Sequence, residues 1–160
     1  MMGSRIGISL WLLVAMLWLS GCSDGKFEGV HEVDRLLSHP DDPARMAEGV
    51  PMDSIVPGAA LHVAQLAVEE YPETPRFYYL LGRAYLASGA PEAAESAFLE
   101  AAKRNYVMAH YNLGLEYAQR ISSEESQQIA VRHFYAAYEG GIAQAQQRLR
   151  RVLPRYCGHF

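Results

Sequence analysis

Cys22 stands where an apolar run stops and a polar chain begins. The stretch L-S-G-C-S, Leu19 to Ser23, closes the run Ile6 to Ser20, which follows the positive charge of Arg5. Only one other thiol exists, Cys157 near the far end. The six histidines are His31, His39, His62, His110, His133 and His159. None forms H-E-x-x-H or stands at metal-ligand spacing from another. There is no G-x-S-x-G and no phosphate loop, and Ser122, Ser123 and Ser126 read as helix caps rather than nucleophiles. Asp41-Asp42, between two prolines, reads as turn chemistry or helix N-capping, and Glu69-Glu70 and Glu124-Glu125 read as exposed helix ends. Arg76 and Arg83, two turns apart on one helical face, could clamp a carboxylate in bidentate fashion. No catalytic constellation stands out. The expectation is a protein that is not an enzyme, with no catalytic residues and no metal.

The apolar run is short. Ile6 to Ser20 as a helix spans about 22 Å, against a hydrocarbon core of roughly 30 Å. A basic start, a brief apolar stretch and small residues at its end (Ser20, Gly21) read as a secretory signal. L-S-G-C resembles the bacterial lipobox at all four positions. That resemblance implies diacylglycerol on the Cys22 thiol, cleavage before it, and an acyl chain on the new amino terminus. Ser23, rather than aspartate, implies delivery to the outer membrane, with the protein facing the periplasm. Several acyl chains hold firmly where one binds marginally. No other cofactor is expected. With Cys22 lipidated, Cys157 cannot form an internal disulfide and reads as a spare, buried or intermolecular thiol.

Residues 22 to 160 make one domain's worth of chain. The formal charge of −4 gives no sign of nucleic acid as a partner. Acids dominate before Pro75 and bases after Ser126, a polarity that could orient a partner or a second copy. A repeat runs through the middle. Tyr78, Leu81, Gly82 and Tyr85 recur as His110, Leu113, Gly114 and Tyr117; Ala94, Phe98 and Ala101 recur as Ala130, Phe134 and Ala137. Each set lies on one stripe of a helix. Large residues facing alanines allow two helices to approach closely. Gly82 and Gly114, each costing about 1 kcal/mol in helix propensity, suggest a neighbour too close for a methyl group. Pro91 opens a helix, Gly89, Asn105 and Gly140-Gly141 end others, and Ser122 to Glu125 offers a capping box. The spacing predicts helices over 58–70, 75–88, 91–104, 108–119, 124–139 and 143–153. His110 reads as a satisfied histidine between helices.

The segment Ala101 to Ala118, with its double alanine followed by L-G-x-x-Y, resembles the tetratricopeptide repeat and more closely its Sel-one-like subclass. Val33 to Val50 resembles the segment that precedes such repeats; Val33 and Ala64 stand where relatives carry two cysteines, which hints at a bridge lost as a unit. The resemblance implies an all-α fold, a short right-handed α-solenoid of antiparallel helix pairs. Its parts are a lipoprotein signal peptide (1–21), a flexible tether (22–32), an N-terminal cap and half repeat (33–74), repeat 1 (75–107), repeat 2 (108–142) and a capping helix with tail (143–160). It also implies a partner groove lined by Arg76, Tyr79, Arg83, Met108, Tyr111, Leu115, Gln144, Gln147 and Arg151. The function expected is a membrane-anchored adaptor binding another envelope protein or peptide segment. Two alternatives are a β-lactam-binding or cell-wall enzyme of the Sel-one-like type, and a self-associating structural lipoprotein. The oligomeric state stays open.

Overall fold

Proline starts and left-handed stops divide this chain. The computed structural model describes residues 31–120 and 123–153. The signal segment, the tether up to residue 30, Cys22, Ser122 and Cys157 lie outside the described residues, so the readings made on them stand as sequence readings. Among the described residues the chain is all-α: seven α-helices and one short 3-10 helix, without a strand. They are α1 Glu32–Leu37, η1 Met52–Ser54, α2 Pro57–Glu70, α3 Pro75–Ala87, α4 Pro91–Lys103, α5 Val107–Gln119, α6 Glu124–Glu139 and α7 Ala143–Val152.

The six helices expected from spacing are all present. Pro57, Pro75 and Pro91 open three of them at the first turn, where the missing N–H would have no partner in any case. Gly89, Asn105 and Gly141 follow helix ends at φ of 72°, 62° and 95°, the left-handed conformation that stops a helix. One detail differs. The cap of α6 is Ser123, whose hydroxyl accepts from the Ser126 backbone N–H at 3.2 Å, so a serine and not a glutamate occupies the third helical position. No Glu completes a capping box there.

Helices adjacent in sequence pack on one another, most extensively α3 on α4 and α5 on α6. Both hairpins close by the same device. Ala94, Phe98 and Ala101 of α4 and Ala130, Phe134 and Ala137 of α6 are fully buried. A β-carbon added to Gly82 would overlap the Phe98 ring, and one on Gly114 would stand 2.6 Å from Cδ1 of Phe134. The glycines therefore seat phenylalanine rings, and the loss of helix propensity is offset by burying an aromatic side chain against backbone.

The segment before the repeats forms part of the core. Val33, Leu37 and Ile55 are buried, and α1 packs on both α2 and α3. Ala60, Ala64 and Ala67 form the buried stripe of α2. Val33 and Ala64, the two positions where the resemblance implies cysteines, are both fully buried. Between α1 and η1 the chain loops out and back, closed by the Val50 N–H donating to the Ser38 carbonyl at 2.7 Å.

Candidate functional site

The nine groove positions split into two groups. Those toward the N-terminus are covered by residues 31–50 of the same chain. Arg83 is 1% exposed. Its guanidinium donates to the Leu37 carbonyl and, at 2.7 Å, to the Val50 carbonyl, tying the start and end of the 38–50 loop to α3. Arg76 meets the buried Asp34 carboxylate, with Nε 2.9 Å from Oδ1 and Nη2 3.2 Å from Oδ2. Asp34 also accepts from the His31 backbone N–H at 2.9 Å, capping α1. The carboxylate clamp expected of Arg76 and Arg83 is thereby corrected. Arg76 binds a carboxylate from its own chain, and Arg83 binds two carbonyls.

Tyr79 and Met108 are buried as well. Burial pushes the Tyr79 phenol well above its ordinary pKa, and its oxygen accepts from Asn112 Nδ2 at 3.1 Å. Asp42 extends the cover toward α5. Its Oδ1 accepts from the Ala44 N–H at 2.8 Å, the turn chemistry expected of it, and its Oδ2 accepts from the Tyr106 hydroxyl at 2.7 Å. Burial, and then the Asp42 charge, hold the Tyr106 proton in place. Tyr106→Phe leaves that carboxylate oxygen without its donor and is expected to lower stability by about 1–2 kcal/mol. A urea titration followed by circular dichroism measures it.

Toward the C-terminus the face is open among the described residues. Leu115 and Arg151, both expected in the groove, line a cup of about 220 Å³ together with Ala118, Gln119, Phe134, Arg148 and Val152. Tyr111 is buried beside it, and its hydroxyl meets Arg148 Nε at 3.4 Å. Gln144 and Gln147 are exposed on the preceding turns of α7. Arg148 was not among the expected residues. Carrying the register that the resemblance implies onto α7 selects Gln144, Gln147 and Arg151 and passes over Arg148. Ion pairs among the described residues involve Arg76, Lys103, Arg104 and Arg120, and not Arg148 or Arg151. The cup is lined by both apolar and polar side chains and carries two arginines with no carboxylate partner among the described residues.

A polar cluster lies between the two helices of the second hairpin. Nδ1 of His110 on α5 stands 3.0 Å from Nδ1 of His133 on α6, so one ring donates to the other. His110 is thus satisfied between helices, by a partner that sequence did not supply. Tyr117 stacks on His133 with ring planes 15° apart, and donates through its hydroxyl to Glu95, which also meets Arg120 at 2.7 Å. Burial lowers the His133 pKa from 6.5 to about 4, with His110 and Arg132 adding to the fall and Glu95 opposing it. Burial lowers His110 as well. The folded chain therefore disfavours the protonated rings. Stability is complete above pH 6.5 and falls as pH drops toward 4, because the unfolded chain takes up the protons first. The full linkage is about 3 kcal/mol and, for a partly exposed ring, roughly 1–2 kcal/mol is retained. Comparing urea midpoints at neutral and acid pH, the loss is expected to be smaller in His133→Asn than in the parent.

Among the described residues no three His, Cys, Asp or Glu side chains converge where a metal could sit. Compared with protein-family models, with curated proteins and with solved structures, the chain matches none.

Proposed function

We propose that this protein is a lipid-anchored adaptor of the bacterial envelope, binding another envelope protein, or a peptide segment of one, through the C-terminal half of its helical face. The fold that goes with this reading is a short right-handed α-solenoid of antiparallel helix pairs, of the tetratricopeptide type in its Sel-one-like form. Two successive hairpins closed by the same glycine–phenylalanine contact support it. The lipobox resemblance at Cys22 supports the tether and the outer-membrane address. No helix among the described residues is long and apolar enough to cross a membrane.

One observation carries the reading. Of the residues expected to contact a partner, Arg76, Tyr79, Arg83 and Met108 are used internally, while Leu115 and Arg151 line a cup together with Arg148, and neither of these two arginines meets a carboxylate among the described residues. Arginine beside apolar surface is a favoured recognition chemistry. A short groove gives modest affinity, which a membrane tether raises by confining both molecules to one surface. The work proposed is recognition rather than catalysis.

The test is photo-crosslinking in intact cells. A photoreactive residue at Gln144 or Gln147 is expected to yield one discrete crosslinked protein, and the same residue at exposed Glu92 on α4 is not. Equal capture from all three sites, or none from any, would overturn the adaptor reading.

A further inference from the structure

Among the described residues six large apolar side chains stand exposed, and they fall into two patches. Met52, Val56 and Leu66 lie on η1 and α2, while Tyr135, Tyr138 and Leu153 lie on α6 and at the end of α7. We infer that the two patches are halves of one contact, in which α2 of one copy of this chain seats on α6 of the next. The inference goes beyond the adaptor reading, since none of these six residues lines the cup.

Each patch follows from its helix. Val56, Ala59, Val63 and Leu66 recur at intervals of three and four, which makes a stripe along α2. A second stripe, Ala60, Ala64 and Ala67, is buried within the chain, so α2 carries more apolar surface than its own molecule covers. Val131, Tyr135 and Tyr138 form a stripe on α6 in the same way, and Leu153 stands beside Val131 and Arg132. The patches belong to different ends of the row of packed helices: α2 packs on α1 and α3, and α6 on α5 and α7. A single exposed leucine means little, but apolar side chains gathered beside charged ones mark a contact surface.

Charge selects a second copy as the partner. The elements η1 and α2 carry Asp53, Glu69 and Glu70 and no lysine or arginine. By contrast, α7 carries Arg148, Arg150 and Arg151 and no acid, and Arg132 of α6 stands beside Leu153. Of these, Asp53, Glu69, Glu70, Arg132 and Arg150 enter no ion pair among the described residues. The acids of α6 are engaged otherwise. Glu139 accepts from the Tyr135 hydroxyl, and Glu124 and Glu125 stand in the first turn, where they offset the positive end of the helix. Two acidic patches would repel one another, so the contact joins unlike faces. A head-to-tail contact of this kind repeats until a ring closes or the row runs on. Three large side chains from each face make a small interface, and confinement by the proposed lipid anchor raises its occupancy.

The experiment is sedimentation velocity on the full chain in detergent, at rising protein concentration. Species larger than a pair are expected at about 0.1 M salt. Association is expected to weaken at least about tenfold at about 1 M, where the screening length has fallen from about 10 Å to about 3 Å. Leu66→Arg sets a cation against the arginines of the facing copy and is expected to leave a monomer. Tyr135→Ser with Tyr138→Ser removes the rings of the other face and is expected to do the same. Mixed together, the two variants still offer one intact α2 face and one intact α6 face, and they are expected to form a pair and nothing larger. Leu66 and Tyr135 are 49% and 53% exposed, so their variants keep the fold, which circular dichroism checks. A parent chain that stays monomeric, an association that salt leaves unchanged or strengthens, a variant that assembles alone as the parent does, or a mixture that fails to pair would overturn the inference. So would a photoreactive residue at exposed Gln65 that captures a different protein in place of a second copy. Capture of another protein at Gln144 is independent of all these results, so the adaptor reading stands or falls separately.

Discussion

Arg83→Met is expected to lower the free energy of unfolding by about 3–5 kcal/mol, a large share of the 5–15 kcal/mol typical of a domain. Methionine keeps an unbranched apolar stem, so the packing of α3 changes little. What disappears is the pair of donors to the Leu37 and Val50 carbonyls. Those carbonyls belong to the backbone and stay where they are. Each hydrogen bond from a charged donor contributes about 1.5–3 kcal/mol, and an acceptor left dry carries its full desolvation penalty. Relief from burying a guanidinium offsets part of this, which sets the lower bound. Arg83→Lys is expected to lose about half as much, since one ammonium cannot reproduce a planar fork that meets two acceptors. Thermal melts, with a shift of roughly 10 °C for Arg83→Met, measure the size. Limited proteolysis locates it: new cuts should fall between residues 38 and 50 before any appear in α5 or α6. A loss below about 1 kcal/mol, or cleavage beginning in the second hairpin, would mean that Arg83 does not hold the N-terminal segment.

The same residue marks how far the sequence could be read. The resemblance put Arg76, Tyr79 and Arg83 in a partner groove, and in the structure Arg76 and Arg83 meet residues of the same chain. What covers the face was not legible. A helical period says which side chains point together, not which distant segment fills the space before them. The cover comes from residues 31–50, whose buried Val33 and Leu37 are too few to make a period. Arg83 looked like a recognition residue because an arginine's charge is visible in sequence and its burial is not.

Helix limits were legible because their signals are local: prolines at the first turn, and glycine or asparagine after the last. The closeness of the hairpins was legible because Gly82 and Gly114 are expensive where they stand and recur in step. The His110–His133 pair was not, since its members lie on different helices and meet only through the rotation of one about the other. In the cup, Leu115 and Arg151 stand at positions that the resemblance implies, while Arg148 falls outside that register.

That repeat register leads to the second large effect, a reversal of sign at Gly82. In the parent protein Gly82→Ala gains about 1 kcal/mol of helix propensity, yet is expected to destabilise by about 1–3 kcal/mol, because its methyl group meets the fully buried Phe98 ring. Phe98→Ala alone removes a fully buried ring and is expected to cost about 3–5 kcal/mol. With the ring gone, the added methyl enters the space it left. There Gly82→Ala should stabilise by about 1 kcal/mol, giving the pair a coupling of roughly 2–4 kcal/mol, far outside the few tenths expected of independent sites. Gly114 and Phe134 should show the same reversal, since the β-carbon contact is matched there. Urea unfolding of the four members of each cycle supplies the numbers. If Gly82→Ala costs the same with and without Phe98, the glycine is not where the ring seats, and the hairpin distance is set by something else. If one hairpin reverses sign and the other does not, the two units resemble each other in sequence without sharing the contact that closes them, and the argument for a repeated structural unit fails at that point.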